Sequence, residues 1–195
     1  MLDRKRVPRR AVLTVGLAVA ATAATAAFPA DPAMAWVLHP AQAGWHFYNR
    51  CFAMVRLDGV RNNACPAGGG HVEQGWTFQL PYTTSSVRHA GETADQQSAW
   101  VQCSDCSGLY YLDFPGVCPA GGFVGHGFSG TFLQYLMPHD IVPQPPNTQS
   151  PWRFCRLCSA MYYQGYYPNE GRCAARPGLG HDAAGHVFQV PVYSY

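Results

Sequence analysis

The apolar and aromatic positions of this chain recur in one order three times. Each round opens on an apolar stretch that starts at Trp45, Trp100 or Trp152 and runs to a cysteine. Short stretches of this kind, bounded by turn formers, read as strands, and each is predicted to end in a tight turn at its cysteines. A second short strand follows. It is clearest at Leu109, Tyr110, Tyr111 and Leu112 and at Met161, Tyr162 and Tyr163, where aromatic residues favour the β conformation. A Cys-Pro-Ala-Gly-Gly stretch can only be a loop. Each round then closes on an apolar-Gln-apolar strand: Phe78-Gln79-Leu80, Leu133-Gln134-Tyr135 and Phe188-Gln189-Val190.

The self-similarity goes beyond pattern. Trp45-His-Phe-Tyr48-Asn-Arg-Cys51-Phe-Ala-Met54 aligns with Trp100-Val-Gln-Cys103-Ser-Asp-Cys106-Ser-Gly-Leu109 and with Trp152-Arg-Phe-Cys155-Arg-Leu-Cys158-Ser-Ala-Met161. Cys65, Cys118 and Cys173 then lead to His71, His126 and His181, which are 55 residues apart both times. Glycine follows each histidine at the fourth position, at Gly75, Gly130 and Gly185. The repeats occupy about 45–82, 99–137 and 151–192. Polar residues 83–98 and proline-bearing residues 137–150 are predicted linkers. Three such units, each of roughly 53 residues, predict one all-β domain with pseudo-threefold organisation. By repeat count and length a β-trefoil-like closure is expected. Tandem zinc-ribbon-like modules are the alternative.

Composition supports strands over helices, since the chain holds 20 glycines and 16 prolines. The first 35 residues stand apart. Five basic residues precede an apolar run from Ala11 to about Ala27, and Ala33-Met34-Ala35 follows, the layout of an export signal cleaved after Ala35. Arg9-Arg10-Ala11-Val12-Leu13 resembles a twin-arginine signal, with Pro8 where Ser or Thr is usual. An ordinary secretory signal fits the same residues. The expected mature domain is 36–195, secreted and free of the membrane.

Removing 1–35 changes the charge. Five of the 13 basic residues and two of the 11 acidic ones go with it, leaving eight Arg against nine acids, a net −1 with His neutral. No basic stripe remains for nucleic acid. No lysine remains for Schiff-base chemistry.

The cysteines carry the candidate chemistry. Unit 2 reads Cys103-x2-Cys106-x11-Cys118-x7-His126, and unit 3 reads Cys155-x2-Cys158-x14-Cys173-x7-His181. Three thiolates and an imidazole are the donor set of a closed tetrahedral zinc site. Such a staple suits a unit this small. Disulfides compete, because export brings oxidation and eight cysteines is an even number. The distribution of two, three and three cysteines per unit argues against them. Unit 1 has Tyr48 in place of the first cysteine and retains Cys51, Cys65 and His71. It reads as a decayed site, a Cys51–Cys65 disulfide, or an open three-donor zinc site with Glu73 as base. His46 lies on the same strand face as Tyr48, as a candidate substitute donor or a surface histidine.

The pattern Trp-x-x-Cys-x-x-Cys-x-x-[Leu/Met]-Tyr-Tyr, then Cys-Pro-x-Gly-Gly and His, resembles a tandem repeat of secreted bacterial proteins of unsettled function. It spans residues 45–190 and departs from the pattern at Tyr48 and Ala174. The resemblance implies secretion and a small repeat fold, and supplies no activity. The paired rings Tyr110-Tyr111, Tyr162-Tyr163 and Tyr166-Tyr167 are candidate ligand contacts, since neighbours on a strand face opposite sides and exposed rings stack on sugars. No nucleophile motif and no catalytic residue stands out. The expected function is a secreted, non-catalytic module binding an extracellular glycan or cell-wall polymer. A small metal-dependent hydrolase and a structural cell-wall or spore protein are the alternatives.

Overall fold

Each repeat folds as a long strand, a tight turn, a short strand and a second long strand. A computed structural model describes residues 39–57, 64–121, 125–128 and 133–193. The expected export signal 1–35 lies outside them. Unit 1 forms β1 (Ala41–Tyr48), β2 (Met54–Val55) and β3 (Glu73–Thr84). Unit 2 forms β4 (Gln96–Gln102), β5 (Leu109–Tyr111) and β6 (Leu133–Pro138). Unit 3 forms β7 (Thr148–Cys155), β8 (Met161–Tyr163) and β9 (Ala183–Pro191). No helix occurs among the described residues, and none there is long and apolar enough to cross a membrane.

Within each unit the first long strand is central and pairs antiparallel with the other two. The registers correspond, with Phe47 opposite Met54, Gln102 opposite Leu109 and Phe154 opposite Met161. A bulge precedes the tryptophan in all three units. Its residue is left-handed at Gly44 (φ 87°) and Ala99 (φ 59°). The bulge re-aims the strand, and Trp45, Trp100 and Trp152 are fully buried.

The units then close on one another in a cycle. Units 1 and 2 share a ladder between β3 and β6, with Tyr82 opposite Tyr135, joining six strands in the order β2-β1-β3-β6-β4-β5. Single bridges His139–Phe188 and Phe78–Val192 bring in the three-stranded sheet of unit 3. The short strands meet the same way, through bridges Val55–Gly108, Tyr110–Ala160 and Tyr162–Ala53. Each tryptophan packs edge-on against the closing strand of the next unit. Trp45 meets Tyr135 at 5.0 Å, Trp100 meets Phe188 at 5.2 Å, and Trp152 meets Phe78 at 5.3 Å. Such pairs contribute about 0.5–1.5 kcal/mol each beyond area burial. One core therefore spans all three units, and they are not separate modules. Each unit shows three strands among the described residues, one fewer than a trefoil unit.

The predicted linkers are shorter than expected. β3 runs on to Thr84, β4 begins at Gln96, β6 ends at Pro138 and β7 begins at Thr148. The polar residues there are structural. Gln96 and Ser98 are buried. The Gln97 and Gln149 amide oxygens accept from the indole N–H of Trp100 and Trp152, each at 3.0 Å. In unit 1 the Gln42 amide oxygen accepts from the Tyr135 hydroxyl instead, and the Trp45 indole N–H has no protein partner.

Candidate metal centres

The turn between the long and short strands builds the first half of each site. Ser107 N donates to Cys103 O at 3.0 Å and Ser159 N to Cys155 O at 2.8 Å. The residue after the second cysteine is left-handed, at Ser107 (φ 65°), Ser159 (φ 63°) and Phe52 (φ 66°). This reverses the chain and brings both sulfurs of units 2 and 3 to one side. Backbone N–H groups of Asp105 and Asp182 point at the sulfurs of Cys103 and Cys155, at 3.4 and 3.5 Å. The loop cysteine and the histidine supply the other half.

The four predicted donors converge in both units. In each set all donor atoms lie within 4.8 Å of one another. The sulfurs of Cys103 and Cys118 are 3.8 Å apart, as are those of Cys155 and Cys173. Cys106 Sγ is 3.5 Å from His126 Nδ1, and Cys158 Sγ is 3.4 Å from His181 Nδ1. Zinc bonds of about 2.3 Å to sulfur and 2.0–2.1 Å to nitrogen put tetrahedral edges near 3.8 and 3.5 Å. All eight cysteines are free thiols, and these separations are far from a ~2.05 Å disulfide bond. The clusters suit a metal such as zinc.

The histidines are oriented for ligation. His126 Nε2 donates to Cys158 O and His181 Nε2 to Cys51 O, each at 2.9 Å. That bond places the proton on Nε2 and leaves the Nδ1 lone pair for a metal. Tyr110 stacks on His126 at 4.6 Å and Tyr162 on His181 at 4.5 Å. Both tyrosines are buried, which corrects their reading as ligand contacts: they hold the imidazoles. Of the other rings, Tyr111 packs against Trp100 and Phe154, Tyr163 is half-buried, and Tyr166 and Tyr167 are 49% and 76% exposed.

The electrostatics point the same way. Hydrogen bonds from Cys106 and Cys118 hold the Cys103 thiol far below its usual range, and Cys158 and Cys173 do the same for Cys155. Bonds to those neighbours, with burial, push Cys106 and Cys158 well up. Burial opposes charge on His126 and His181, but contact with the cysteines outweighs it and raises both to about 9. A divalent cation bound among these donors would favour thiolate sulfur and an imidazole with Nδ1 unprotonated, and would satisfy all four donors.

Unit 1 differs. Cys51, Cys65 and His71 still bring their donor atoms within 4.8 Å. Tyr48 stands at the repeat position of the missing cysteine and its ring lies edge-on to His71 at 4.8 Å, while Val55 stands where the other units have the stacking tyrosine. A hydrogen bond from Cys51 is the main cause that lowers the Cys65 thiol to about 4. His46 is not in the set, because its ring faces the Glu73 carboxylate at 3.6 Å.

A fourth cluster was not foreseen. Asp140 Oδ2 lies 3.2 Å from His139 Nδ1 and 2.6 Å from His186 Nδ1, and the two imidazoles stack at 3.7 Å. His139, Asp140 and His186 each offer a donor atom within 4.8 Å of the others, so this set too could hold a metal ion, and the carboxylate oxygen is placed to accept from both rings. No repeat position signals this cluster, since Trp76 stands in unit 1 where His186 stands in unit 3.

Comparison with known protein families, curated proteins and solved structures finds no match to this chain.

Proposed function

We propose that this protein is a secreted, non-catalytic module that binds an extracellular polysaccharide, with three units arranged trefoil-like and stapled by structural zinc. The observation that carries the reading is the contrast between closed metal clusters and open aromatic surface. Six thiols and two imidazoles fill two four-donor sets, and seven of those eight side chains are buried. A filled tetrahedral site has no coordination position for substrate. Trp76 on β3 and Tyr166 and Tyr167 in the turn after β8 meanwhile present 55%, 49% and 76% of their surface to solvent. Aromatic faces of this kind stack on the apolar faces of sugars. The test is glycan-array binding with the intact protein and with Trp76→Ala and Tyr166→Ala. Trp76→Ala is expected to lose binding while staying near the parent melting temperature, and Tyr166→Ala to lose binding while still folded, its melting temperature lowered by the loss of ring contacts with Phe47, Phe52 and Tyr163. Unchanged binding in both refutes the reading.

A second reading has one observation in its favour. The Cys51, Cys65 and His71 set offers three donors and leaves a fourth position for water, the arrangement of catalytic zinc. Ester or glycoside hydrolysis that depends on added zinc and disappears in His71→Ala supports a hydrolase. Zinc-independent behaviour of both proteins removes it.

A further inference from the structure

The seam between units 1 and 3 has two halves of different chemistry. One is a groove of about 190 Å³ walled by Phe47, Trp76, Tyr163 and Tyr166, with the amides of Gln74 and Gln149 at its edge. The other is a groove of about 290 Å³ lined by Asn49, Arg50, Asn169 and Arg172. Phe52 joins them: it lines the second and packs at 5.4 Å against both Phe47 and Tyr166 of the first.

The second groove holds two arginines. Elsewhere among the described residues Arg88, Arg156 and Arg176 are paired with carboxylates, and Arg153 donates to the Gln164 amide oxygen and to Gly185 O. Arg50 and Arg172 have no carboxylate partner and donate only to the backbone carbonyls of Ala67 and Gly171, at 3.4 and 3.0 Å. Those bonds hold the guanidinium groups in place and leave further N–H donors open. Asn169 spends its amide oxygen on Gly171 N at 3.1 Å, so its NH2 group also remains a donor.

The repeat supplies an internal control. The seam between units 3 and 2 keeps the aromatic half, with Phe154, Tyr111 and Phe114 at the positions of Phe47, Tyr163 and Tyr166. It has Leu157 and Val117 at the positions of Arg50 and Arg172, and both pack on the core. The fold therefore does not need charge at these positions. Of these two seams, the one between units 1 and 3 carries the cationic half.

We infer that the seam between units 1 and 3 binds an anionic polysaccharide, one sugar stacking in the aromatic groove while a neighbouring carboxylate or sulfate pairs with Arg50 and Arg172. This rests on the polysaccharide-binding reading and adds the charge of the ligand. Amides flanking both grooves match sugar hydroxyls. Guanidinium groups match carboxylate and sulfate oxygens through paired N–H donors. A single-stranded nucleic acid also joins rings to charge, but it needs a groove that follows many phosphates, and residues 36–195 carry eight Arg against nine acids.

The test uses the purified full chain in affinity electrophoresis at fixed low salt. The probes are polygalacturonate and its fully methyl-esterified form, dextran sulfate and dextran, and poly(U). At least about tenfold tighter binding to a charged polymer than to its uncharged counterpart is expected, the size of one charge-assisted contact. Selectivity in the polygalacturonate pair assigns carboxylate, and selectivity in the dextran pair assigns sulfate. Arg50→Gln with Arg172→Gln is expected to abolish the selectivity while leaving uncharged-polymer affinity and melting temperature unchanged. Tyr166→Ala is expected to weaken charged and uncharged polymers alike. Equal affinity for charged and uncharged forms, or an unaffected double variant, overturns the inference and leaves the polysaccharide reading standing. Tighter binding of poly(U) than of any polysaccharide overturns the inference in favour of nucleic acid. No binding of any polysaccharide in this set overturns both.

Discussion

Cys106→Ser removes one donor from the unit 2 site and changes little else. The side chain is buried, and its sulfur lies 3.5 Å from His126 Nδ1. Closed zinc sites in small fingers carry an apparent ~10–16 kcal/mol, so one donor in four accounts for about 3–4 kcal/mol if they share equally. The local packing offers little to offset that loss. The buried cluster around the site is small, made of Val101, Cys103, Cys106, Tyr110 and Cys118 with Leu112 and Ala120 packed against it, apart from the main core. For a chain of this size 1 kcal/mol moves the melting temperature by about 2–4 °C, so a fall of roughly 6–16 °C is expected. The loss should also travel in one direction. His126 donates to Cys158 O, the carbonyl of a unit 3 donor, and unit 3 in turn reaches Cys51 O through His181. Loosening His126 forfeits about 1 kcal/mol of hydrogen bonding at the unit 3 turn, a several-fold faster surrender of metal there. Scanning fluorimetry reads the first effect, and metal transfer to a chromogenic chelator reads the second. A Cys106→Ser protein with parental melting temperature and full metal content refutes the reasoning.

Other perturbations test neighbouring parts of the account. Gly171→Ala builds a Cβ 2.4 Å from Cys51 O at a left-handed position (φ 66°), and a drop of several kcal/mol in denaturant stability is expected. Trp45→Phe should cost about 1 kcal/mol less than Trp152→Phe, because only Trp152 gives up a bond to Gln149, as urea titration would show. Burial first, then His186, lowers the pKa of His139, against which Asp140 and Asp95 act weakly in the other direction. A histidine with a depressed folded value takes up more protons when unfolded. Its contribution is complete above about pH 6.5 and is lost as pH falls below that, so stability at pH 5 should recover in part in His139→Gln.

Much of this was legible because metal sites and repeats write themselves into spacing. Cys103, Cys106, Cys118 and His126 were found together because two donors on one turn and two more at the ends of a loop need fixed separations. The strand cores followed from the recurrent tryptophans, all fully buried. What stayed hidden depended on which way a side chain turns or on pairs far apart in sequence. Gln96 and Ser98 read as linker because they are polar, yet both are buried in β4, Gln96 opposite Pro138 and Ser98 bonded to the Glu92 carboxylate. The pairs Tyr110-Tyr111 and Tyr162-Tyr163 send one ring to each side of a strand, and only the fold shows that Tyr110 and Tyr162 are the buried members, stacked on His126 and His181. Arg50 and Arg172 are 122 residues apart in the chain, and only closure of unit 3 onto unit 1 puts them in one groove. The same closure makes the hydrogen bonds from His126 to unit 3 and from His181 to unit 1, which no single repeat can reveal.

The central claim is that metal, rather than disulfide, staples units 2 and 3. Elemental analysis of the purified protein by plasma mass spectrometry, with a thiol count in denaturant plus chelator, tests it most directly. Two filled sites predict at least two zinc ions per chain and eight titratable thiols, with the six of units 2 and 3 protected from alkylation until the chelator is added. A metal-free protein with Cys103 bonded to Cys118 and Cys155 bonded to Cys173 would contradict it.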